Sequence, residues 1–192
     1  MKKSVKSMKS MKWLILIMSL VIIFAGVVWM TNGSVSSANE QKSSEQNISV
    51  APMTGYRAPA FSLLSFPDSK PISLADYQGK PIFINLWASW CPPCQAESPD
   101  IVKAYAKYGD KVQFIAVDLT AQDTLPDVTA FIEKYGIKYP IAMDIKGAVA
   151  DQYQVMAIPT SIFVNRQGIV VDRVVGSITP QILEGDLERI SH

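Results

Sequence analysis

The sequence predicts an α/β domain with a central mixed sheet flanked by helices, preceded by one N-terminal transmembrane helix. Two observations predict the domain. Strand-like and helix-like segments alternate after residue 54, and the only two cysteines lie where a buried strand meets a helix. A third observation, an uncharged run of 18 residues at 13–30, predicts the membrane helix. With 192 residues, the chain has room for one ordinary domain and this appendage.

The N-terminal segment is typical of an uncleaved membrane anchor. Five lysines and no acidic residue precede the apolar run, so residues 1–12 are predicted to be a basic cytoplasmic segment. Residues 13–30 are long enough to span the hydrocarbon core once, which leaves the rest of the chain outside the cytoplasm, at the cell membrane. A cleaved signal peptide is the alternative, because Ser36, Ser37 and Ala38 offer small residues to a signal peptidase.

The anchor is followed by a predicted flexible linker at 31–53. This stretch is rich in Ser, Asn, Gln, Glu and Gly and poor in bulky apolar residues. Residues 54–192 then form the folded domain, which we expect to act as a monomer. The part of the chain after residue 30 contains 17 acidic and 13 basic side chains. No basic patch supports a nucleic-acid partner, and we expect none.

The domain opens with a hairpin and a strand–helix pair. Residues 61–64 and 72–74 flank turn-forming residues at 67–70, which predicts an N-terminal β-hairpin. Residues 81–87 form a continuous apolar run, as in a strand buried on both faces of a sheet. Residues 92–108 carry apolar side chains at helical spacing, and a helix tolerates proline in its first turn.

The alternation continues to the end of the chain. Gly168 serves the turn of a second hairpin, and Thr179 is placed to cap the last helix. The predicted elements are a strand at 112–117, a loop at 118–122, a helix at 125–135, a strand at 140–143, a helix at 148–153, strands at 161–164 and 169–175, and a helix at 180–190.

Cys91 and Cys94 are the most informative pair in the chain. Two residues separate them, so they can close a small disulfide and reopen it without moving the fold. Closing so short a loop removes little chain entropy, which favours a redox-active disulfide over a structural one, although the structural reading stays open. A zinc site lacks ligands, since the only histidine is His192 at the last position. We therefore expect no metal and no other cofactor.

The motifs around this pair resemble a known family. The run Trp-Ala-Ser-Trp-Cys-Pro-Pro-Cys at 87–94 and the segment Ala-Ile-Pro-Thr at 157–160 are similar to those of a thioredoxin fold. Three further features narrow the resemblance to one group of proteins with this fold. They are the opening at 58–61, the segment at 74–80, and an inserted helix and strand at about 124–143. They are similar to the membrane-anchored TlpA/ResA/CcmG group of extracytoplasmic thiol-disulfide oxidoreductases.

The roles of the motif residues can be predicted from their positions along the predicted helix. Cys91 is predicted to be the exposed attacking nucleophile, because a helix N-terminus stabilises a thiolate. Cys94, one turn inside the helix, is then the resolving thiol. Pro92 and Pro93 remove two backbone N–H groups from this turn and are expected to tune the reduction potential. Trp90 is expected to shield the disulfide and to contact peptide substrates.

Three more residues are expected to support the site. The resemblance implies a cis peptide bond between Ile158 and Pro159 that faces the cysteines and leaves the Ile158 backbone free to pair with an incoming peptide. A simple loop terminator is the alternative for Pro159. Glu97 lies three residues after Cys94, on the same helix face.

The resemblance also bears on proton transfer near the thiols. Many cytoplasmic thioredoxins have an aspartate at the position of Asn85, where it assists proton transfer to the buried thiol, and asparagine cannot do this. In the ResA-like group a glutamate at the spacing of Glu97 lies near the active site. An ordinary solvated helix glutamate is the alternative for Glu97.

The function implied by the resemblance is reduction of disulfides in exported proteins. Electrons would come from a membrane thiol carrier, and the favoured substrate is apocytochrome c during cytochrome c maturation, with spore-envelope proteins as the alternative. Two other functions stay open from the residues alone. One is a disulfide-forming oxidase, and the other is a tethered polypeptide-binding module whose disulfide is structural.

Overall fold

A computed structural model describes residues 48–192. The predicted basic segment, the predicted transmembrane helix and most of the predicted linker lie outside the described residues. Within 48–192, no helix is both long enough and apolar enough to cross a membrane.

Seven strands form one mixed sheet in the described part of the chain. Their order across the sheet is β2-β1-β5-β4-β3-β6-β7. The neighbours β3, β4 and β5 run parallel, and every other neighbouring pair is antiparallel. The strands are β1 Ser62–Phe66, β2 Pro71–Ser73, β3 Ile82–Trp87, β4 Gln113–Asp118, β5 Ile141–Met143, β6 Thr160–Val164 and β7 Val170–Val175.

Helices cover both faces of this sheet. Ile101, Val128 and Leu183, each on a different helix, pack into one hydrophobic core, and Val149 of a further helix packs into a second core on the opposite face. The arrangement is a thioredoxin-like α/β fold with the expected N-terminal hairpin and inserted helix–strand segment. The helices are α1 Pro92–Tyr108, α2 Leu125–Tyr135, α3 Ala148–Gln152 and α4 Pro180–Ser191, with single 3₁₀ turns at Leu74–Tyr77 and Thr120–Gln122.

Strand β3 lies between β4 and β6 and is buried along its whole length. Its side chains alternate between the two cores, as the pleat of a strand requires: Phe83 and Trp87 contribute to the core under α1, whereas Ile84 contributes to the opposite core. This double burial explains the continuous apolar run in the sequence. Asn85 is the polar exception, and it pairs in register with Ser161 of β6.

Several element bounds differ from the predicted ones by one or two residues, and two of these differences lie at capping or pairing residues. Strand β2 ends at Ser73 instead of residue 74, because the Ser73 hydroxyl caps a 3₁₀ turn by accepting the Ala75 N–H, and Asp76 accepts the Ser73 N–H. Residue 118, predicted as the first residue of a loop at 118–122, is instead the last residue of β4. Asp118 pairs in register with Trp87 on one side and with Met143 on the other.

The folded unit begins at Ser49, inside the stretch that the sequence assigns to the linker. The Ala51 N–H donates to the Arg57 carbonyl oxygen at 3.1 Å, and the Arg173 guanidinium donates to the Pro52 carbonyl oxygen at 3.0 Å. These bonds attach residues 49–53 to the edge of the domain beside β7.

Candidate active site

The cysteine pair lies at the carboxyl end of β3, where the chain turns into α1. Cys91 is the N-cap of α1, with an extended backbone (φ −82°, ψ 111°), and its Sγ accepts the Cys94 backbone N–H at 3.3 Å. Pro92 and Pro93 occupy the first two helical positions and are exposed. The sulfur of Cys91 therefore takes the place of the side-chain oxygen that commonly caps a helix, at the positive end of the helix dipole.

Cys91 and Cys94 form a disulfide, with their Cα atoms 5.3 Å apart. Cys91 is 3% exposed and Cys94 is 1% exposed. The prediction of an exposed Cys91 is therefore wrong for the oxidised protein, although Cys91 is the more accessible of the two. The loop before β6 covers the sulfur, since the Cys91 Sγ lies 3.7 Å from the Ile158 carbonyl oxygen.

The loop facing the disulfide contains the second proline motif. The Ile158–Pro159 peptide bond is cis, as the resemblance implied, and Ile158 is half-buried. The Thr160 hydroxyl donates to the Ala157 carbonyl oxygen at 2.7 Å and so fixes the end of this loop. Met156, at the start of the loop, is 91% exposed.

The two tryptophans of the motif have different surroundings. Trp90 is 53% exposed, and its indole N–H donates to the Gln122 carbonyl oxygen at 2.9 Å. Trp87 is buried, and its ring centroid lies 4.3 Å from that of Phe131. Trp90 therefore lies at the rim of the site, held by this hydrogen bond, whereas Trp87 packs in the core beneath it.

Glu97 is buried beneath the cysteines, so the solvated alternative is wrong. Its Oε1 accepts the Asn85 Nδ2–H at 3.0 Å, and its Oε2 accepts the Ile178 backbone N–H at 2.9 Å. The second Asn85 Nδ2–H donates to the Ser161 hydroxyl oxygen at 3.1 Å. Burial raises the pKa of Glu97 to about 7, while the hydrogen bonds from Ile178 and Asn85 act in the opposite direction. Glu97 can therefore gain or lose a proton near neutral pH.

Three aspartates near the site were not predicted as functional residues. Asp118 is wholly buried; its Oδ1 accepts the Thr120 hydroxyl at 2.6 Å, and its Oδ2 has no hydrogen-bond partner among the described residues. Burial raises the pKa of Asp118 to about 7, against the Thr120 hydrogen bond, and the neighbours Asp123 and Asp144 raise it further. Asp144 is also wholly buried, and its Oδ2 accepts the Ala150 N–H at 2.8 Å.

A signal for these aspartates exists in the sequence. Asp118 ends one buried strand and Asp144 directly follows the next parallel one. Carboxyl ends of parallel strands meet at one edge of a sheet, where sites in α/β folds form. Within 48–192, no group of three or more His, Cys, Asp or Glu side chains is arranged to hold a metal ion.

This geometry is suited to thiol-disulfide exchange. One sulfur lies at a helix N-terminus, a second lies one turn further along, and a titratable carboxylate is buried three residues beyond it.

Comparison with known proteins agrees with this chemistry. The model of the AhpC/TSA family matches residues 54–173. The chain belongs to the AhpC/TSA family. The thiol-disulfide oxidoreductase ResA of Bacillus anthracis is 38% identical over 138 residues, which cover 71% of this chain and 78% of the relative. The thioredoxin-like protein YneN of Bacillus subtilis (strain 168) is 38% identical over 135 residues, which cover 70% of this chain and 78% of the relative.

Solved structures of this AhpC/TSA protein's relatives have the same fold. StoA from Bacillus subtilis is 29% identical with a TM-score of 0.56, over 66% of this chain and 95% of StoA. A thiol:disulfide interchange protein of the thioredoxin family from Chlorobium tepidum TLS is 28% identical with a TM-score of 0.60, over 71% of this chain and 96% of the other. The family resemblance read from the sequence is thus confirmed, and the protein is a thiol-disulfide oxidoreductase.

Proposed function

We propose that this oxidoreductase works as a reductase outside the cytoplasm, anchored in the cell membrane by residues 13–30. It takes electrons from a membrane thiol carrier and reduces disulfides in exported proteins. Apocytochrome c, with its Cys-x-x-Cys-His sequence, is the proposed substrate, which the resemblance to the ResA-like group supports.

One observation supports the proposal that electrons flow from this protein to its substrate. Pro92 and Pro93 have no N–H, and within 48–192 the Cys91 Sγ accepts one backbone hydrogen bond, from Cys94. The helix N-terminus still stabilises the thiolate, but less than a helix N-terminus with all its N–H groups would, and a less stabilised dithiol form makes a more reducing couple. The buried Glu97 acts in the same direction when ionised, because it opposes a second negative charge nearby.

The proposed reaction proceeds in two exchange steps. The Cys91 thiolate attacks a substrate disulfide, which forms a mixed disulfide and releases the first substrate thiolate. Cys94 then attacks the Cys91 sulfur, which closes the Cys91–Cys94 disulfide and releases the second substrate thiolate. Two electrons pass from the dithiol to the substrate, and Glu97 is placed to receive the proton that Cys94 loses. The thiol carrier restores the dithiol by the reverse exchange.

A redox titration of the full chain tests the direction. We expect the Cys91–Cys94 couple, equilibrated with glutathione or dithiothreitol buffers, to have a potential close to the value of about −270 mV that thioredoxin shows. A potential near about −120 mV, as in strong oxidants, would support the oxidase alternative. A disulfide that dithiothreitol leaves intact in the folded protein would support the binding-module alternative.

A protease experiment tests the location. Protease added to intact cells is expected to remove the domain and to leave a small membrane-bound stub containing residues 1–30. A domain that is released into the medium and begins at Asn39 would instead support cleavage of a signal peptide.

A further inference from the structure

Several hydrogen bonds to one residue, Ser89, hold the loop that carries Cys91. Ser89 is buried, and both its backbone N–H and its hydroxyl donate to the carboxylate of Asp123, each at 2.6 Å. The Ser89 carbonyl oxygen accepts the Gln95 Nε2–H at 2.8 Å. All three polar groups of Ser89 are therefore occupied, two of them by a single side chain that lies 34 positions away in sequence.

Asp123 is itself fixed at the start of α2. Its Oδ1 also accepts the Thr124 N–H at 2.8 Å, and Thr124 is the N-cap of that helix. The residue before it, Gln122, accepts the Trp90 indole N–H. Two consecutive residues after β4 thus bind two consecutive residues of the cysteine loop. We call the paired hydrogen bonds between Ser89 and Asp123 the Ser89–Asp123 clamp.

The clamp is stronger than an ordinary pair of loop hydrogen bonds. A carboxylate acceptor strengthens and shortens a hydrogen bond relative to a neutral one, which agrees with the 2.6 Å distances. Among the described residues, none of the ion pairs includes Asp123, so no cation competes with Ser89 for its oxygens. Asp118 and its buried neighbour Asp144 lie behind the clamp at the same sheet edge.

We propose that Asp123 is a positioning residue for thiol-disulfide exchange. It fixes the backbone two residues before Cys91, so that the Cys91 sulfur stays at the N-terminus of α1, within reach of the Cys94 N–H. When the clamp is lost, the loop and its sulfur move away from the helix dipole, and the thiolate is less stabilised. The proposal concerns the exchange chemistry itself and holds whichever direction electrons flow.

The reduced full chain with Asp123→Asn tests this. Asparagine has an NH₂ group in place of one carboxylate oxygen, and the Ser89 N–H and hydroxyl donate to different oxygens of Asp123, so one of these two acceptors is lost. We expect the inflection in the pH profile of Cys91 alkylation to move to higher pH, and the rate of attack on a small aromatic disulfide at pH 7 to fall about tenfold. Removal of a negative charge alone would move the inflection to lower pH. An unchanged or lowered inflection would therefore overturn the proposal, even in a protein that still performs exchange.

Two further variants separate positioning from helix capping. Asp127→Asn removes a carboxylate from the same turn of α2, where it contacts Thr124 and not the cysteine loop, so the pH profile is expected to stay unchanged. Ser89→Ala removes only the hydroxyl bond and is expected to shift the profile in the same direction by a smaller amount. The effects of Ser89→Ala and Asp123→Asn are expected to be non-additive in the double variant. A Ser89→Ala protein with the wild-type profile, or fully additive effects, would contradict the clamp, and Ser89→Ala decides the question if Asp123→Asn does not fold.

Discussion

Two opposing influences act on Glu97. Burial disfavours its carboxylate, and the hydrogen bonds from Ile178 and Asn85 favour it, with the result that burial dominates and the pKa of Glu97 rises to about 7. The same contacts orient the carboxyl group from two sides. A carboxylic acid held in this way can exchange a proton with a nearby thiol without moving far.

Glu97→Gln is expected to change the pH profile of thiol alkylation with little loss of fold. The amide keeps the shape and removes the titration. Ionised Glu97 opposes thiolate formation, so the profile of the variant is expected to move to lower pH and to lose the component near pH 7. The exposed Glu133→Gln serves as the control. Profiles of the Glu97→Gln and wild-type proteins that overlay between about pH 5 and 10 would show that Glu97 takes no part in proton transfer.

Asp118 gives a second pH-dependent prediction, one of stability. Its pKa in the folded protein, about 7, lies above the ordinary value of 3.8, so the folded state holds this proton more tightly than the unfolded state does. The resulting stabilisation is complete below about pH 4 and is lost as the pH rises to 7. We expect the unfolding free energy of the oxidised wild type to fall over this range, by an amount on the order of 4 kcal/mol from Asp118.

The Asp118→Asn variant isolates this contribution. Urea denaturation at several pH values is expected to give a flatter curve for Asp118→Asn than for the wild type, and greater stability than the wild type above pH 7. Glu97 titrates in the same window, so some slope remains in the variant. Asp127→Asn, at an exposed carboxylate, is the control. Parallel curves for Asp118→Asn and the wild type would contradict the stated cause.

At the scale of elements, α4 connects the core to the site. The helix begins at Pro180, two residues after Ile178, whose N–H donates to Glu97, and its buried face includes Leu183, Leu187 and Ile190. Packing of this face therefore fixes the turn that orients the carboxyl group.

A matched pair of substitutions tests the contribution of α4. Leu187→Ala is expected to lower the unfolding free energy by about 2–5 kcal/mol, because Leu187 is fully buried and its removal leaves a cavity. Ile182→Ala, on the exposed face of the same helix, is expected to change stability by under about 0.5 kcal/mol. Equal losses in the two variants, measured by denaturant titration, would mean that α4 does not pack as described.

Elements with a strong local signal could be predicted from the sequence. Strand β3 is a continuous apolar run, and α1 combines prolines in its first turn with helical spacing. The 3₁₀ turn at Leu74–Tyr77 was missed even though Ser73 and Asp76 have the spacing of a capping box. The order of strands was beyond local reasoning, since β1 pairs with β5 across most of the domain sequence.

Some residues of the candidate site could likewise be predicted from the sequence, and others could not. The cysteines could be predicted from their spacing, and Glu97 from its helix face together with the family resemblance. The contact between Ser89 and Asp123 could not, because it joins two loops that only the sheet brings together. Asp118 carries a weaker signal, a charged residue at the carboxyl end of a buried strand, and its burial depends on the neighbouring strand β5.

In the folded domain as a whole, the residues of the candidate site lie together at one edge of the sheet. The carboxyl ends of β3 and β4 and the start of β6 supply the cysteine loop, Asp118 and the Ile158–Pro159 loop. Both faces of these strands pack into the two cores, so the site at the strand ends is built on buried elements. This arrangement places the reactive sulfur between the buried core and the exposed side chain of Trp90, next to the Ile158 carbonyl oxygen.

Trapping of mixed disulfides distinguishes the roles of the two cysteines, attack by Cys91 and resolution by Cys94. The full chain with Cys94→Ser, mixed with an oxidised Cys-x-x-Cys-His peptide, is predicted to form a covalent mixed disulfide through Cys91 that dithiothreitol releases. The Cys91→Ser protein, at the same concentration, is predicted to form none, and mass spectrometry of the adducts measures both. Equal trapping by the two variants, or trapping by Cys91→Ser alone, would show that Cys91 is not the attacking thiol.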